Sequence, residues 1–494
     1  MKYDVIVIGA GNAALCAAIA AKEKGSSVLV VEKAPRHQRG GNSYFTAGGF
    51  RFAYSGIEDL RPLIADFTAQ EEQDVEFGTY TKSKYHEDLG RLTEDLTDPV
   101  LSSILINESL ATVTWLKEQG IRWVPMYGRQ SFKVNGKFHF WGGLILEASG
   151  GGKGLVEKEF EIFESLGGEV VYESAATKLL LDENGHIEAV SLQGPDGGRI
   201  EYCKSVVLAC GGFESNAEMR TRYLGPGWEL AKVRGTQYNT GDGIQMALQI
   251  GAESYGNWSG CHAVAWDVAA PPFGDRKILD LYQKHSYPLG LIVNKNGERF
   301  VDEGLDYRNF TYVKFGREIM NQPGRIAFQI FDSKVEAILR DEYRIKEVTM
   351  VRSPSIEHLA EEMGINTKAL VATVDKYNQA VKEGSFNPAT LDGKKTMGLP
   401  IDKSNWAQRI DSPPFIAYAV TCGITFTFGG LHINKSAEVL STSHRVIPGL
   451  YAAGELVGGL FYHNYPGGAG LMAGAVFGRI AGTSAHLSAQ EKYS

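Results

Sequence analysis

A strand, a glycine turn and a helix open the chain within its first 24 residues, and this combination restricts the fold more than any other stretch. Val5-Ile6-Val7-Ile8 is a β-branched run with the length of a buried strand, and Gly9-Ala10-Gly11-Asn12-Ala13-Ala14 follows it directly. Asn12 to Lys24 is an Ala-rich helical pattern that leads into a second apolar run, Val28-Leu29-Val30-Val31. Gly9 suits a tight turn, and Gly11 lets backbone approach a pyrophosphate. The helix N-terminus offers an anion its unpaired N–H groups and positive dipole end. Glu32 lies 23 positions beyond Gly9, where a carboxylate accepts hydrogen bonds from ribose hydroxyls, and Lys33 follows it. Together these residues predict a Rossmann-like βαβ unit that binds a dinucleotide.

A chain of 494 residues exceeds the roughly 250–300 at which one hydrophobic core stops growing, so two folded units are expected. Ser205-Val206-Val207-Leu208-Ala209 and Gly449-Leu450-Tyr451-Ala452-Ala453 repeat the pattern of a short apolar strand entering a glycine turn. The chain ends in a small-residue helix from about Gly470 to Leu487. Residues 257–422 differ, with mixed strands, polar helices over Ile356 to Met363 and Thr367 to Glu383, and Pro/Gly-rich joints. The expected organisation is one discontinuous domain, 1–256 with 423–494, interrupted by a second domain at 257–422. No internal repeat suggests a solenoid or propeller.

The net charge of −8 argues against nucleic acid or anionic lipid as a bulk partner. Five cysteines without C-x-x-C spacing fit neither a disulfide framework nor a zinc or iron–sulfur site, so no metal is expected. The first residues carry no signal-peptide pattern, and no apolar run approaches the ~20 residues of a membrane span, which predicts a cytoplasmic protein that does not insert into membranes.

Four further glycine-containing segments decide between dinucleotides. Gly40-Gly41-Asn42-Ser43 combines close-approach backbone with side chains that donate to phosphate, and Ala47-Gly48-Gly49 offers a surface free of side chains for a flat ring. Tyr451-Ala452-Ala453-Gly454-Glu455 resembles the ribityl-binding turn of glutathione-reductase-type flavoproteins. Pro466-Gly467-Gly468-Ala469-Gly470 opens the last helix, ahead of Leu471, where N–H groups can stabilise negative charge on an isoalloxazine. The cofactor expected is FAD.

The whole chain resembles the fumarate reductase/succinate dehydrogenase flavoprotein superfamily in its two-domain form, which also includes 3-ketosteroid dehydrogenases. Within it the chain resembles the tricarballylate dehydrogenases. The likeness rests on Gly9 to Leu15, Gly40 to Ser43, Phe140-Trp141-Gly142-Gly143, Trp258-Ser259-Gly260-Cys261-His262, Gly297 to Glu303 and Phe461 to Gly468. It implies an α/β fold: a Rossmann-like, glutathione-reductase-type FAD-binding domain with an inserted α+β capping domain that holds substrate against the flavin. It also implies cofactor contacts at Gly152, Ala176, Ala209, Gly211, Gly212 and Asp242. Gly150-Gly151-Gly152-Lys153-Gly154 is expected to turn into a helix starting at Leu155.

Covalent members attach FAD through a histidine where this chain has Asn42, so the FAD is expected to be non-covalent. Fumarate reductases place a proton-delivering arginine four residues beyond the glutamate of an R-F-x-x-E segment. Here that position is Tyr307, with Arg308 next; Arg308 suits a polycarboxylate and Tyr307 a ketone. Thr425 stands where the reductases have a histidine, Tyr465 where they have an arginine, and Gln283 and Ser286 near their relay residues. Tyr465 matches a proton-abstracting tyrosine of the ketosteroid enzymes and favours oxidation over reduction. His262 and His463 are expected to meet a carboxylate, and Arg129, Lys133 and His139 form a second basic patch.

These features imply an FAD-dependent dehydrogenase that oxidises a C–C bond of a small polycarboxylate, of the tricarballylate to cis-aconitate type, by hydride transfer to flavin N5 with Tyr465 or Arg308 as base. The resemblance implies electrons leaving to a membrane iron–sulfur partner. A ketosteroid or cyclic-ketone dehydrogenase, a fumarate-type reductase and a non-catalytic flavin redox sensor stay open as alternatives.

Overall fold

Tyr3–Ile8 lies inside a parallel sheet because it is apolar on both faces, with Val5, Ile6 and Val7 fully buried. In the computed structural model, which describes residues 3–491, the parallel strands run in the order Glu169–Val171, Val28–Val31, Tyr3–Ile8, Gly197–Leu208, Val446–Ala452. The first half of Gly197–Leu208 instead pairs antiparallel with Ile187–Gly194, which pairs with Ala175–Leu181 in a meander. The last strand of the chain thus completes a sheet begun by the first.

The Asn12–Glu23 helix packs on the final helix, Ala469–Glu491. Gly474, Gly478 and Gly482 recur every four residues and line the contact. A Cβ at Gly478 would stand 2.4 Å from the Ala13 carbonyl oxygen, and one at Gly482 2.0 Å from that of Ala17. Side chains there would push apart the two helices that flank the first glycine turn.

A second, six-stranded sheet is built on the 17-residue strand Phe415–Leu431. Its partners are Ser254–Asp267, Ala327–Phe331 and Met350–Ser353, all antiparallel, and Lys232–Val233, parallel; Leu291–Asn294 pairs with Ala327–Phe331. Helices Ile356–Met363 and Thr367–Ala380 cover this sheet through Leu359, Leu370, Val374 and Tyr377, in a cluster separate from the main core. This α+β unit lies, in sequence, inside the first sheet's segments. Positions 256/257 and 422/423 fall within Ser254–Asp267 and Phe415–Leu431, which pair with each other and run continuously between the two units. The helix Arg308–Met320 crosses against Ser254–Asp267, where a Cβ at Gly316 would stand 2.4 Å from Ala263 backbone.

Candidate functional site

Gly9 has φ of 103°, and a Cβ there would stand 2.4 Å from the Ala209 carbonyl oxygen, so the turn between the first two elements closes only around glycine. Gly11 precedes the helix without a capping side chain, and the Asn12 amide donates to Ser43 Oγ at 3.1 Å. From this helix N-terminus one continuous cavity of about 1700 Å³, its mouth included, runs to the second sheet. Gly9, Gly11, Asn12, Ala13, Glu32, Lys33, Gly41, Asn42, Ser43, Ala47, Gly49, Ala176, Ala209, Gly211, Asp242, Gly454, Glu455, Gly470 and Leu471 all line it. Gly40, Gly48, Gly152 and Gly212 stand behind the lining and let its segments close on each other. A Cβ at Gly48 would meet Gly151 backbone at 2.6 Å, one at Gly152 the Ser43 carbonyl oxygen at 2.0 Å, and one at Gly212 Thr427 Oγ1 at 2.0 Å. Gly151 to Gly154 form the first turn of the helix Gly151–Ser165 itself, a correction to the turn expected before Leu155.

At one end of the cavity Glu32 is buried and accepts from the Ala34 amide at 2.7 Å; burial pushes its carboxyl up to about 7. Lys33 reaches Asp242 at 2.7 Å and Thr240 Oγ1 at 2.6 Å. Midway, Asn42 donates to Glu214 Oε1 at 2.6 Å and to the Thr425 carbonyl at 2.7 Å, and accepts from the Thr236 amide at 2.8 Å. Asn239 also donates to Glu214 Oε1, at 2.6 Å. Glu455 accepts from the amide and hydroxyl of Thr427. Burial and mutual proximity hold the Glu214 carboxyl above its ordinary value.

At the other end four arginines converge. Arg308, the first residue of its helix, donates to the Arg129 carbonyl at 2.7 Å and lies 3.3 Å from His285 Nδ1, with its Nε unpartnered. Arg129 grips Asp280 with both nitrogens at 2.6 and 3.0 Å, and Gln283 donates to the same carboxylate at 3.0 Å. Arg234 lies 3.7 Å from Asp280 and 3.4 Å from Thr425 Oγ1. Arg340 binds the Gly128 and Arg129 carbonyls. Burial lowers the proton affinity of Arg308 and Arg340; at Arg129 burial is again the largest effect, but the charge and hydrogen bond of Asp280 together with the Glu342 and Glu147 charges outweigh it. Beside them Tyr465 Oη stands 3.0 Å from His262 Nδ1 and 3.5 Å from Tyr312 Oη. Burial holds His262 and His285 well below the ordinary imidazole value and Tyr465 well above the ordinary phenol value.

Residues 4–471 match the protein family described as FAD binding domain. The chain belongs to this FAD-binding family, within the fumarate reductase/succinate dehydrogenase flavoproteins. The flavoprotein is 30% identical to a probable fumarate reductase, Ifc3, of Shewanella frigidimarina over 492 residues, 99% of this chain and 76% of that one. Among solved structures it resembles the open conformation of a flavocytochrome c3 fumarate reductase, with a TM-score of 0.73, 28% identity and 99% and 78% of the two chains covered. It shares the fold of a 3-ketosteroid delta1-dehydrogenase from Sterolibacterium denitrificans, with a TM-score of 0.75, 20% identity and coverage of 99% and 100%. It is therefore an FAD-dependent oxidoreductase, and the glycine cradle, closed to side chains, with a buried carboxylate at its far end, fits that cofactor. Gly9, Gly11, Ser43, Glu32 and Glu455 would hold it.

Of the flavoprotein's expected substrate-side residues, Arg308, Tyr465, His262 and Thr425 line the cavity together. Tyr307 lies outside the lining, its ring against Trp141 and Trp406, and His463 lies outside it too, exposed, its amide donating to Asn257. Of the basic patch only Arg129 reaches the cavity; Lys133 lies over Phe138, and His139 is 3.3 Å from Glu76. Arg234, Asp280, Tyr312 and Glu214 had no signal in the sequence beyond their residue type. No helix among the described residues is long and apolar enough to cross a membrane.

The two depressed histidines give a pH prediction. Below the ordinary value of 6.5 the unfolded chain takes up protons that the folded His262 and His285 refuse, so their contribution to stability is present above that pH and lost as pH falls. Replacing His262 with Asn should flatten the acid side of the stability curve by up to about 1.4 kcal/mol per pH unit, measured by denaturant unfolding on either side of pH 6. An unchanged slope would show that His262 titrates normally in the folded protein.

Proposed function

We propose that this flavoprotein is a dehydrogenase that oxidises a CH–CH bond of a small polycarboxylate, of the tricarballylate to cis-aconitate type. The observation that carries the proposal is an imbalance of buried charge. Arg129, Arg234, Arg308 and Arg340 gather around two buried carboxylates, Asp280 and Glu342, while burial pushes Glu147 up to about 7. Among the described residues Arg308 makes no ion pair with a carboxylate. Four cations against Asp280, Glu342 and a Glu147 that burial makes harder to ionise leave a net positive charge, and desolvated cations of this kind are stabilised by an anionic ligand.

FAD bound in the cavity supplies a hydride acceptor at its N5 atom. Arg308 and Arg234 hold carboxylates of the substrate and so orient its CH–CH bond. Tyr465 takes the proton vicinal to the departing hydride as its own phenolic proton passes to His262 Nδ1, 3.0 Å away. Burial keeps His262 neutral in the protein alone, and the negative charge of a polycarboxylate raises its proton affinity when substrate enters. Arg308, its proton affinity lowered by burial, is the second candidate for this proton. In the same proposal residues 1–256 and 423–494 hold the cofactor and 257–422 cover the substrate, and electrons leave through a separate redox partner, an iron–sulfur protein at a membrane being the class favoured.

Anaerobic mixing of the FAD-loaded protein with tricarballylate tests the substrate class: bleaching of the visible flavin band within seconds is expected, and an unchanged spectrum removes tricarballylate as substrate. A second reading, dehydrogenation of a cyclic ketone, is favoured by the hydrogen-bonded Tyr312 and Tyr465 pair, and a panel of 3-ketosteroids in the same assay separates the two.

A further inference from the structure

Outside the cavity, three metal-ligating side chains from distant parts of the sequence meet at one point. Glu253, His432 and His444 each present one ligand atom, and these atoms lie within 4.8 Å of one another. Glu253 Oε2 is 2.7 Å from His432 Nδ1 and 3.3 Å from His444 Nδ1. We propose that Glu253, His432 and His444 form a site for a divalent transition metal, with zinc as the ion of best fit.

Backbone hydrogen bonds preorganise the three segments. The Glu253 amide donates to the Leu440 carbonyl at 2.9 Å, the Leu440 amide to that of His432 at 2.9 Å, and the His432 amide to that of Glu253 at 3.1 Å. Thr442, in the hairpin that carries His444, donates to Gly251 at 3.0 Å. The His432 ring is stacked on Tyr255 at 4.0 Å with 14° between planes, which fixes its orientation, and Tyr255 is itself held by Asp98. Two imidazoles and a carboxylate are the donor set of three-ligand zinc sites, with water in the fourth position. Zinc bonds of about 2.0–2.1 Å in a tetrahedron put ligand atoms about 3.3 Å apart, so the His444 separation fits and that of His432 must open by roughly half an ångström.

A plain carboxylate–imidazole contact explains His432 but not His444. The His444 side chain is 72% exposed, where such a pair contributes only about 0–1 kcal/mol, and its backbone has φ of 56°, a region that favours glycine. A metal ligated by all three would tie the hairpin Glu438–Leu440/Val446–Ala452, which leads into Gly454 and Glu455, to the start of the strand carrying His262.

The test uses FAD-loaded protein stripped of metal with a chelator that leaves the flavin in place. Zinc titrated by calorimetry should fill one strong site and raise the melting temperature. His444→Ala, at an exposed position, should weaken that site at least tenfold, since loss of even an indirect supporting partner costs 10–100-fold in metal affinity. Glu253→Gln should do the same, and both variants should keep their flavin and turnover, because none of the three residues lines the cavity. Equal zinc binding by wild type and His444→Ala, or no strong site in the wild type, overturns the proposal.

Discussion

Arg308→Ala in the FAD-loaded enzyme should lower turnover of a polycarboxylate by about 10³-fold while the protein stays yellow. Among the described residues Arg308 is the cavity-lining arginine that has no carboxylate within ion-pair distance; its hydrogen-bonding neighbours are a carbonyl and a neutral imidazole, whereas Arg129 and Arg234 both face Asp280. Its charge is therefore the most available to a substrate anion. Arg129 and Arg234 already share Asp280 and would respond less. The hydrogen bonds of Arg308 go to the Arg129 carbonyl and His285 and not to the glycine segments, so flavin content separates a catalytic defect from a folding one. Arg308→Lys keeps the charge but not the fork that grips a carboxylate at two points, so it should recover only part of the loss. Anaerobic single-turnover reduction reads the chemical step directly. Near-normal rates in both variants would remove Arg308 from the reaction and shift the proposal toward the tyrosine pair and a ketone.

That the glycine segments and Glu32 would line one cavity was legible in the sequence because local patterns encode it. A turn that tolerates only glycine, a helix N-terminus behind it and an acid after the next strand are all short-range features, and Gly9, Gly11 and Glu32 lie where those features place them. The substrate end was legible only in part, because it is assembled by pairing two long strands and crossing a helix over them. His262 and Tyr465 are 203 residues apart yet hydrogen-bonded, and Arg234, Asp280 and Tyr312 come from three further segments. The choice between Tyr307 and Arg308 shows the limit most clearly. Spacing from Glu303 favours Tyr307, but Tyr307 is the N-cap, with non-helical backbone, and the helix begins only at Arg308, so that Arg308 lines the cavity while Tyr307 packs on two tryptophans. The Glu253, His432 and His444 cluster was invisible for the same reason, since its ligands are brought together by tertiary hydrogen bonds.

Gly9→Ala should yield protein with less than about a tenth of its FAD and a stability loss of about 3 kcal/mol or more, read from the visible-to-ultraviolet absorbance ratio and from thermal melting. Two effects add at this position. An alanine at φ of 103° is strained by about 1–2 kcal/mol, and its Cβ would stand 2.4 Å from the Ala209 carbonyl oxygen and 2.7 Å from Cys210 Cα. Both neighbours are backbone at the end of a strand paired with Tyr3–Ile8, so neither can rotate away, and relief requires parting the two strands where Ile8 pairs with Leu208. That displacement carries Gly11 and the helix N-terminus with it. Gly11→Ala provides the contrast: its φ is −88°, and its Cβ would meet Ser43 Oγ at 3.3 Å and the Gly40 carbonyl oxygen at 3.6 Å, neither close enough to part the strands. This variant should fold with a nearly unchanged melting temperature and lose FAD affinity alone, because the new methyl group projects into the cavity and not into the sheet. If Gly9→Ala instead bound FAD normally, the turn would have to close by a backbone path other than the one seen here.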